Sequence, residues 1–169
     1  MAISEDIFRA YDICGIVENA LIPEAVTLIG QAFATEARAR RQNTVVIGRD
    51  GRLSSPDLAH ALSDGLRAGG CDVIDVGMVP TQVLYYATHK LKTGTGIMVT
   101  GSHIPFDRNG IKFNKPNGEV LKADEPSILH CVRQVREETL QQTAPESPFA
   151  PDGRLKPNHC LGLPAEQPD

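Results

Sequence analysis

IMVTGSHIPFDRNGIKF, residues 97–113, predicts a strand, a polar loop and a second strand. The apolar run 97–99 ends in Thr-Gly-Ser-His, and Asn109-Gly110 after the loop predicts a turn. In the second apolar run, Lys112 faces away from its two apolar neighbours. A serine hydroxyl, an imidazole and an ammonium group are thus expected on or beside one loop between buried strands, and we interpret this loop as the functional centre.

The segments before this stretch alternate between helix and strand patterns. Apolar residues at helical spacing follow Pro23, and Ser55-Pro56-Asp57 predicts a helix N-cap followed by proline and an acidic first turn. A third helix begins at Pro80-Thr81. Its predicted apolar face consists of Val83, Leu84, Ala87 and Leu91. Short β-branched runs at 44–48 and 71–76 predict strands between these helices.

The remaining elements complete a strand and helix alternation. An irregular first strand is predicted within 7–17, and a turn at 115–118 precedes a fourth helix around 128–135. Strands separated by helices of crossover length indicate a parallel sheet with helices on both faces, here with one antiparallel strand. The predicted fold class is α/β, a three-layer α/β/α structure with a mixed, mostly parallel sheet.

The last segment of the chain differs in composition from the rest. Six of the chain's 12 prolines lie between Pro145 and Pro168, and no periodic apolar pattern continues there. Such composition is typical of a disordered or linker segment. We therefore predict one domain over residues 1–141 and a Pro-rich disordered tail over residues 142–169.

Charge and cysteine content argue against several classes of protein. A net charge of −4, from 17 basic and 21 acidic residues, gives no electrostatic reason to expect a nucleic-acid partner. No apolar run reaches the roughly 18 residues of a membrane span, and the N-terminus lacks a signal pattern. The four cysteines have no CxxC or CxxH spacing, so neither a disulfide framework nor a zinc site is indicated. We expect a cytoplasmic protein with no membrane partner.

Among the chemistries that the loop could perform, phosphoryl transfer fits best. The nearby glycines do not form GxGxxG, no GxxxxGK[ST] occurs, and Ser102 is not in a GxSxG motif. A serine can carry a phosphoryl group, while a neighbouring imidazole or ammonium group stabilises the charge and moves the acceptor's proton. Such a reaction requires mainly positioning and electrostatic stabilisation.

The residues of this loop resemble a known motif. Thr100-Gly101-Ser102-His103, then Pro105 and Asn109-Gly110-x-Lys112, resemble the phosphoserine loop of the α-D-phosphohexomutases, the phosphomannomutase/phosphoglucomutase family. Three further segments agree in order: FRAYDIxG at 8–15, GRDGRxS at 48–54 and DVGxVPT at 75–81. The resemblance extends over about residues 7–140 and covers only the first domain of that family, domain I, whose α/β/α fold it implies.

The resemblance also implies roles for individual residues. Ser102 would hold the transferable phosphoryl group, and its phosphate would be one ligand of a Mg²⁺ ion. His103 and Lys112 would assist proton transfer to and from the sugar hydroxyl, while Arg9 and Tyr11 would lie at the edge of the substrate cleft. The implied substrate is a hexose phosphate, and the implied isomerase reaction interconverts hexose 1-phosphate and hexose 6-phosphate through a bisphosphorylated sugar.

The sequence departs from the family pattern in two motif positions and in extent. Cys14 stands where the family has arginine, which removes a cation, and Ile104 stands where it has asparagine. The strings DGDxDR and RxSxTxP, typical of the family's metal and phosphate loops, do not occur. Mg²⁺ would therefore bind weakly or not at all, and the chain is expected to be incomplete for turnover alone. Whether it is an enzyme by itself is left open.

Alternatives to a mutase domain are a stand-alone phosphosugar-binding or protein-interaction domain, or a degraded, truncated gene product. The face that would meet the family's other domains is expected to be exposed and to promote self-association. Arg49 and Arg52 are interpreted as surface charges or ion-pair partners of Asp50 or Asp57 more than as phosphate ligands.

Overall fold

The computed structural model describes residues 3, 5–9, 12–114, 120 and 121, which contain six strands and three α-helices. In chain order these elements are β1 (Ile13–Ile16), α1 (Pro23–Ala39), β2 (Thr44–Arg49), α2 (Ser55–Ala68), β3 (Asp72–Met78), α3 (Thr81–Lys90), β4 (Gly96–Val99), β5 (Arg108–Asn114) and β6 (Val120–Leu121). A short 3₁₀ turn, Glu5–Ile7, precedes β1. The alternation predicted from the sequence is confirmed as far as β5.

The strands form one mixed sheet in the order β1-β5-β4-β2-β3, and β6 pairs with the far end of β5. β2 is parallel to β3 and to β4, whereas β5 is antiparallel to both β4 and β1. The strands β1 to β4 therefore all run in one direction and β5 runs against them. A mostly parallel sheet with an antiparallel strand is confirmed.

Helices cover both faces of this sheet. Alternate strand residues, including Ile47, Ile97 and Phe113, are buried in one core together with residues of α1 and α2, and the rings of Phe33 and Phe113 stack with centroids 4.9 Å apart. The intervening residues Val46 and Met98 pack instead with Leu84 of α3 in a second, smaller cluster. The three-layer α/β/α architecture is thus confirmed, with α1 and α2 on one side and α3 on the other.

The helices α1 and α2 approach so closely that glycines are required between them. A Cβ atom on Gly65 would lie 2.1 Å from the carbonyl oxygen of Thr27, and one on Gly30 would lie 2.7 Å from that of Leu62. The hydroxyl of Thr27 also donates to the Ala61 carbonyl across the interface at 3.3 Å. Main-chain contact at these two glycines fixes the separation of the helices.

The Asn109-Gly110 turn predicted from the sequence is wrong. Both residues lie within β5, where Asn109 pairs with Gly15 and is fully buried. Gly110 is required by close approach, because a Cβ there would lie 2.9 Å from the Ile13 carbonyl oxygen and 3.0 Å from that of Thr100. The chain reverses earlier, between Thr100 and Arg108.

Two helix details also differ from the prediction. Ser54, not Ser55, occupies the N-cap of α2, and its side chain makes no capping bond. The Ser54 hydroxyl accepts from Asn109, and the Ser55 hydroxyl donates to Asp50. Val83 in α3 and Leu91, which directly follows this helix, are 43% and 48% exposed. They lie outside the contact between α3 and the sheet, which is made by the small cluster around Leu84 and by the buried Thr88.

Some predictions fall outside the described residues. These are the turn at 115–118, the fourth helix and the tail at 142–169, so the boundary at residue 141 stays a prediction. Within the described part of the chain, no helix has the length and apolarity needed to cross a membrane.

The packing of α1 on α2 predicts that Gly65→Ala destabilises the domain by about 2 kcal/mol, because the methyl group overlaps the Thr27 carbonyl and outweighs the gain in helix propensity. Urea unfolding followed by circular dichroism measures this loss. Ser63→Ala, which introduces the same residue two positions away on the same helix, is the control. An equal stability for Gly65→Ala and the wild-type chain would contradict the close packing.

Candidate functional site

The candidate site lies where the parallel strands β2 and β4 end. The loop at 50–54 follows β2, and the loop at 100–107, here called the Ser102 loop, joins β4 to β5. Backbone hydrogen bonds fix the start of each loop on the sheet, because the Asp50 N–H donates to the Val99 carbonyl at the end of β4 and the Thr100 N–H donates to the Gly110 carbonyl in β5, both at 2.9 Å. The site is therefore built on the carboxyl-terminal edge of the sheet, as in many α/β proteins.

Asp50 joins the two loops through four hydrogen bonds. Its Oδ1 accepts from the Arg52 N–H at 3.0 Å and from the Ser55 hydroxyl at 2.5 Å. Its Oδ2 accepts from the Thr100 hydroxyl and from the Gly101 N–H, each at 3.0 Å. One carboxylate thus fixes the start of α2 and the start of the Ser102 loop together.

These bonds determine the ionisation of Asp50. Burial works to raise the pKa of its carboxyl group, but the hydrogen bonds from Ser55, the Arg52 and Gly101 backbone and Thr100 together outweigh it. The pKa of Asp50 therefore lies below its ordinary value of 3.8. The group is an anion at neutral pH, which strengthens each bond it accepts.

Arg52 lies under the Ser102 loop and donates to its backbone. Its Nη1 donates to the carbonyls of Pro105 at 2.7 Å and Arg108 at 2.8 Å, and its Nη2 donates to that of Ile104 at 2.6 Å. Its Nε lies 3.5 Å from Oδ2 of Asp50, so the predicted ion pair with Asp50 is confirmed. The guanidinium group thus bonds to backbone carbonyls and to Asp50 of this chain.

Arg49 has a different environment. It ends β2, and its Nη1 donates to both carboxylate oxygens of Asp75 on β3, at 3.1 and 2.9 Å. The predicted pairing of Arg49 with Asp50 or Asp57 is therefore wrong. Arg49 extends toward the neighbouring strand β3, where Asp75 neutralises its charge. Its guanidinium group therefore does not support the Ser102 loop.

Asn109 connects β5 to the start of α2. Its Nδ2 donates to the hydroxyls of Ser54 and Ser55 at 2.9 Å each, and its Oδ1 accepts from the Gly110 N–H at 2.9 Å. Sequence reasoning missed this role of Asn109, as it missed that of Asp50. The only local signal was a polar residue at the buried phase of a strand pattern, which the Asn-Gly dipeptide obscured.

Ser102 stands at the tip of a tight turn formed by residues 101–104. The Ile104 N–H donates to the Gly101 carbonyl at 2.9 Å, and the Ser102 N–H donates to the Thr100 hydroxyl at 2.9 Å. The φ of Ser102 is 48°, in the left-handed region that costs a residue with a side chain roughly 1–2 kcal/mol. Such strain persists only where the surroundings impose it, and it concentrates at functional sites.

The structure brings together two of the five residues predicted for the site. The Ser102 hydroxyl lies 3.3 Å from Nδ1 of His103, and both side chains are exposed. Lys112 is half-buried in β5 opposite Met98, on the α3 side of the sheet. Arg9 is exposed in the turn before β1, where its N–H donates to the Asp12 carbonyl at 2.9 Å. Within the described residues no hydrogen bond links Lys112 or Arg9 to Ser102, and Tyr11 lies outside those residues.

The two positions that depart from the motif have different structural roles. Ile104 takes part in the turn only through its backbone, since its N–H bonds to Gly101 and its carbonyl accepts from Arg52. The Ser102 loop therefore forms without a polar side chain at position 104. Cys14 is half-buried in β1 opposite Gly110, where its thiol provides no positive charge.

The described residues do not fit a metal site of their own. Within this part of the chain, no group of three or more His, Cys, Asp or Glu side chains could hold a metal ion. Asp50, the carboxylate bonded to the Ser102 loop, already accepts four hydrogen bonds with its two oxygens. The described residues therefore offer no set of ligands that fits the Mg²⁺ ion implied by the sequence resemblance, and we derive no chemical step through it.

Comparison with known proteins agrees with the sequence resemblance. Residues 5–139 match the family model described as phosphoglucomutase/phosphomannomutase, alpha/beta/alpha domain I. The chain is 54% identical over 123 residues to a phosphomannomutase/phosphoglucomutase of Pseudomonas aeruginosa, covering 73% of this chain and 26% of that protein. It is 47% identical over 112 residues to a phosphoglucomutase of Neisseria meningitidis, covering 66% of this chain and 24% of that protein.

A solved structure shows the same fold. The crystal structure of a phosphoglucomutase/phosphomannomutase family protein from Burkholderia thailandensis superposes with a TM-score of 0.69 at 40% identity, covering 82% of this chain and 31% of that one. The chain thus spans about a quarter to a third of the length of the relatives that it matches.

The bonds of Asp50 predict a pH-dependent contribution to stability. Asp50→Asn should lower the free energy of unfolding by about 2 kcal/mol at neutral pH, because it replaces a charged acceptor of four hydrogen bonds. Since the folded pKa is lowered, the contribution is present well above 3.8 and is lost as the pH falls below that value through the folded pKa. Urea unfolding of both chains from neutral to acidic pH should show the difference shrinking on acidification.

Asp107→Asn makes the same chemical change at an exposed position of the Ser102 loop and is the control. It should alter the free energy of unfolding by no more than about 0.5 kcal/mol at neutral pH. A difference between Asp50→Asn and wild type that stays constant down to the lowest pH at which the chain folds would contradict the assignment of the effect to the Asp50 carboxylate.

Proposed function

The chain belongs to the phosphoglucomutase/phosphomannomutase family, as its α/β/α domain I, and we propose that Ser102 carries the phosphoryl group that this domain transfers. The observation that carries the proposal is the geometry of Ser102, whose backbone has a φ of 48° and whose exposed hydroxyl lies 3.3 Å from Nδ1 of the His103 imidazole. A serine so placed can be reached by a phosphorylated sugar, and a base lies beside it.

The proposed reaction is the interconversion of hexose 1-phosphate and hexose 6-phosphate. Phosphorylated Ser102 transfers its phosphoryl group to the free hydroxyl of the sugar, so that the P–Oγ bond breaks while a bond from phosphorus to the sugar oxygen forms. The sugar hydroxyl gives its proton to a base, for which His103 is the candidate, and Lys112 offsets the developing negative charge. Ser102 Oγ then attacks the phosphoryl group at the other position of the bisphosphorylated sugar, the sugar O–P bond there breaks, and the base returns its proton to the released sugar oxygen.

The proposal covers this domain and not a complete catalytic cycle by the 169-residue chain. Arg9 and Tyr11 are proposed to contact the substrate at the edge of its cleft. Because the strings typical of the family's metal and phosphate loops do not occur in the sequence, this chain by itself is proposed not to complete turnover. The cytoplasmic location expected from the sequence remains a prediction.

The first test is phosphorylation of Ser102. Incubation of the purified chain with glucose 1,6-bisphosphate should add the mass of one phosphoryl group, located on Ser102 by peptide fragmentation, with glucose monophosphate as the second product. Ser102→Ala should abolish the mass increase, because no hydroxyl remains to accept phosphorus. Ser63→Ala, which removes a hydroxyl from α2, is the control and should be phosphorylated as the wild type is.

The same sample distinguishes phosphoryl acceptance from turnover. The chain alone is expected to give no net conversion of glucose 1-phosphate to glucose 6-phosphate in a coupled assay. Conversion at a rate typical of enzymes would contradict the proposal that the chain alone does not complete turnover. Absence of phosphate on Ser102 under all conditions would contradict the proposed role of Ser102 and favour a binding or interaction domain.

The proposed self-association has support in an exposed apolar surface beside the site. Leu53 and Phe106 are 99% and 94% exposed, and they border a cleft of about 570 Å³ whose other lining residues include Ile16 and Val17. These side chains line one cleft, and an exposed apolar patch of this kind is typical of a surface that contacts another protein. We propose that a second copy of the chain covers this Leu53–Phe106 surface at high concentration.

Sedimentation velocity over a range of protein concentrations tests the self-association. The wild-type chain should show a concentration-dependent rise in sedimentation coefficient, and Leu53→Ser combined with Phe106→Ser should remove it. Tyr86→Ser replaces an aromatic residue that is 64% exposed on α3 and should leave the association unchanged. A strictly monomeric wild-type chain would reject the proposal.

A further inference from the structure

We propose that Arg52 is a positioning residue: its guanidinium group fixes the backbone of the Ser102 loop and thereby keeps Ser102 in its strained conformation. The claim that Arg52 fixes the loop backbone is argued from its contacts in the structure. The part that concerns phosphoryl transfer rests on the function proposed above. Arg52 is not assigned a contact with the sugar or with its phosphate groups.

The first argument is how the Ser102 loop is attached to the protein. Ser102, His103, Pro105, Phe106 and Asp107 are all exposed, so apolar burial contributes little to holding the loop in place. Two of its carbonyls, those of Ile104 and Pro105, and the carbonyl of Arg108 at the start of β5 accept from Arg52 at 2.6 to 2.8 Å. The planar, permanently charged guanidinium group can donate to several acceptors at once, which an ammonium group on a flexible stem does less well.

The second argument is the space made for this group. A Cβ atom on Gly101 would lie 2.1 Å from both Cζ and Nε of Arg52. Only a residue without a side chain can precede Ser102 while Arg52 lies in contact with the turn. The glycine before Ser102 is therefore explained by the position of the arginine, and the two residues form one arrangement.

The third argument connects Arg52 to the conformation of Ser102. Arg52 Nε lies beside Oδ2 of Asp50, and that oxygen accepts from Thr100 and Gly101. The Thr100 hydroxyl in turn accepts from the Ser102 N–H. Contacts on both sides of the turn thus hold a positive φ that Ser102 would otherwise leave, since an unconstrained serine favours negative φ.

The test compares Arg52→Ala with Arg49→Ala, which removes the same side chain from the same motif where it pairs with Asp75. Hydrogen exchange followed by mass spectrometry should show the hydrogen-bonded amides of Ser102, Ile104 and Arg108 exchanging at least about tenfold faster in Arg52→Ala, because the loop opens locally. Arg49→Ala should leave these amides unchanged. Equal exchange in Arg52→Ala and wild type would overturn the structural part of the inference.

Phosphorylation of Ser102 by glucose 1,6-bisphosphate provides the functional measurement. Arg52→Ala should lower the rate constant at saturating sugar about 100-fold, a typical effect of a small displacement of the nucleophile, with little change in the half-saturating concentration. Arg49→Ala should change the rate constant no more than about twofold. A large rise in the half-saturating concentration alone would show that Arg52 binds substrate and would reject a positioning role.

Chemical rescue separates positioning from general loss of folding. Guanidinium chloride, at concentrations far below those that unfold the chain, should restore part of the phosphorylation rate and of the amide protection to Arg52→Ala, while sodium chloride at equal ionic strength should not. No rescue in a variant whose circular dichroism matches the wild type would count against the inference. If the wild-type chain accepts no phosphate but the exchange and its rescue behave as expected, the proposed function fails and the positioning of the loop stands.

Discussion

The site depends on one carboxylate that joins two loops at the ends of adjacent parallel strands. The loops after β2 and β4 are brought side by side by the sheet, but a sheet fixes only where each loop begins. Asp50 extends this order into the loops, because its two oxygens accept from residues 52 and 55 on one side and from residues 100 and 101 on the other. Its ionised state makes these charge-assisted bonds, which are stronger than bonds between neutral groups.

The sequence was a good guide to the fold because the decisive signals are local. Short β-branched runs, helical spacing and the glycines that end α2 predict the elements and their order, and the order alone implies a mostly parallel, doubly covered sheet. The prediction of a turn at Asn109-Gly110 was wrong. This dipeptide is typical of hairpin turns, but tertiary contacts hold both residues within β5. Asn109 bonds to Ser54 and Ser55, and Gly110 lies against the backbone of Ile13 and Thr100. These partners are distant in sequence, so local pattern cannot reveal them.

The sequence predicted only the part of the site that depends on neighbouring residues. Ser102 and His103 are neighbours in sequence, and their proximity follows from the chain itself. The supporting residues do not have this property, because Asp50 and Arg52 reach the Ser102 loop across about fifty residues of sequence. Arg49 and Arg52 show that a shared motif does not predict the partners of each side chain. They belong to one five-residue motif, yet one is turned by β2 toward Asp75 and the other lies under the Ser102 loop.

The positions of these arginines bear on the cation that the family pattern places at residue 14. A thiol there cannot replace it, so any compensation would have to come from another basic side chain nearby. Arg49 is paired with Asp75, and Arg52 is bonded to three carbonyls and lies beside Asp50. Moving either toward a phosphate would leave a carboxylate or several carbonyls without a partner, which costs free energy. Cys14 therefore removes a charge that neither arginine of this motif can supply, and Arg108 and Lys112 are the basic side chains of β5 on that face of the sheet.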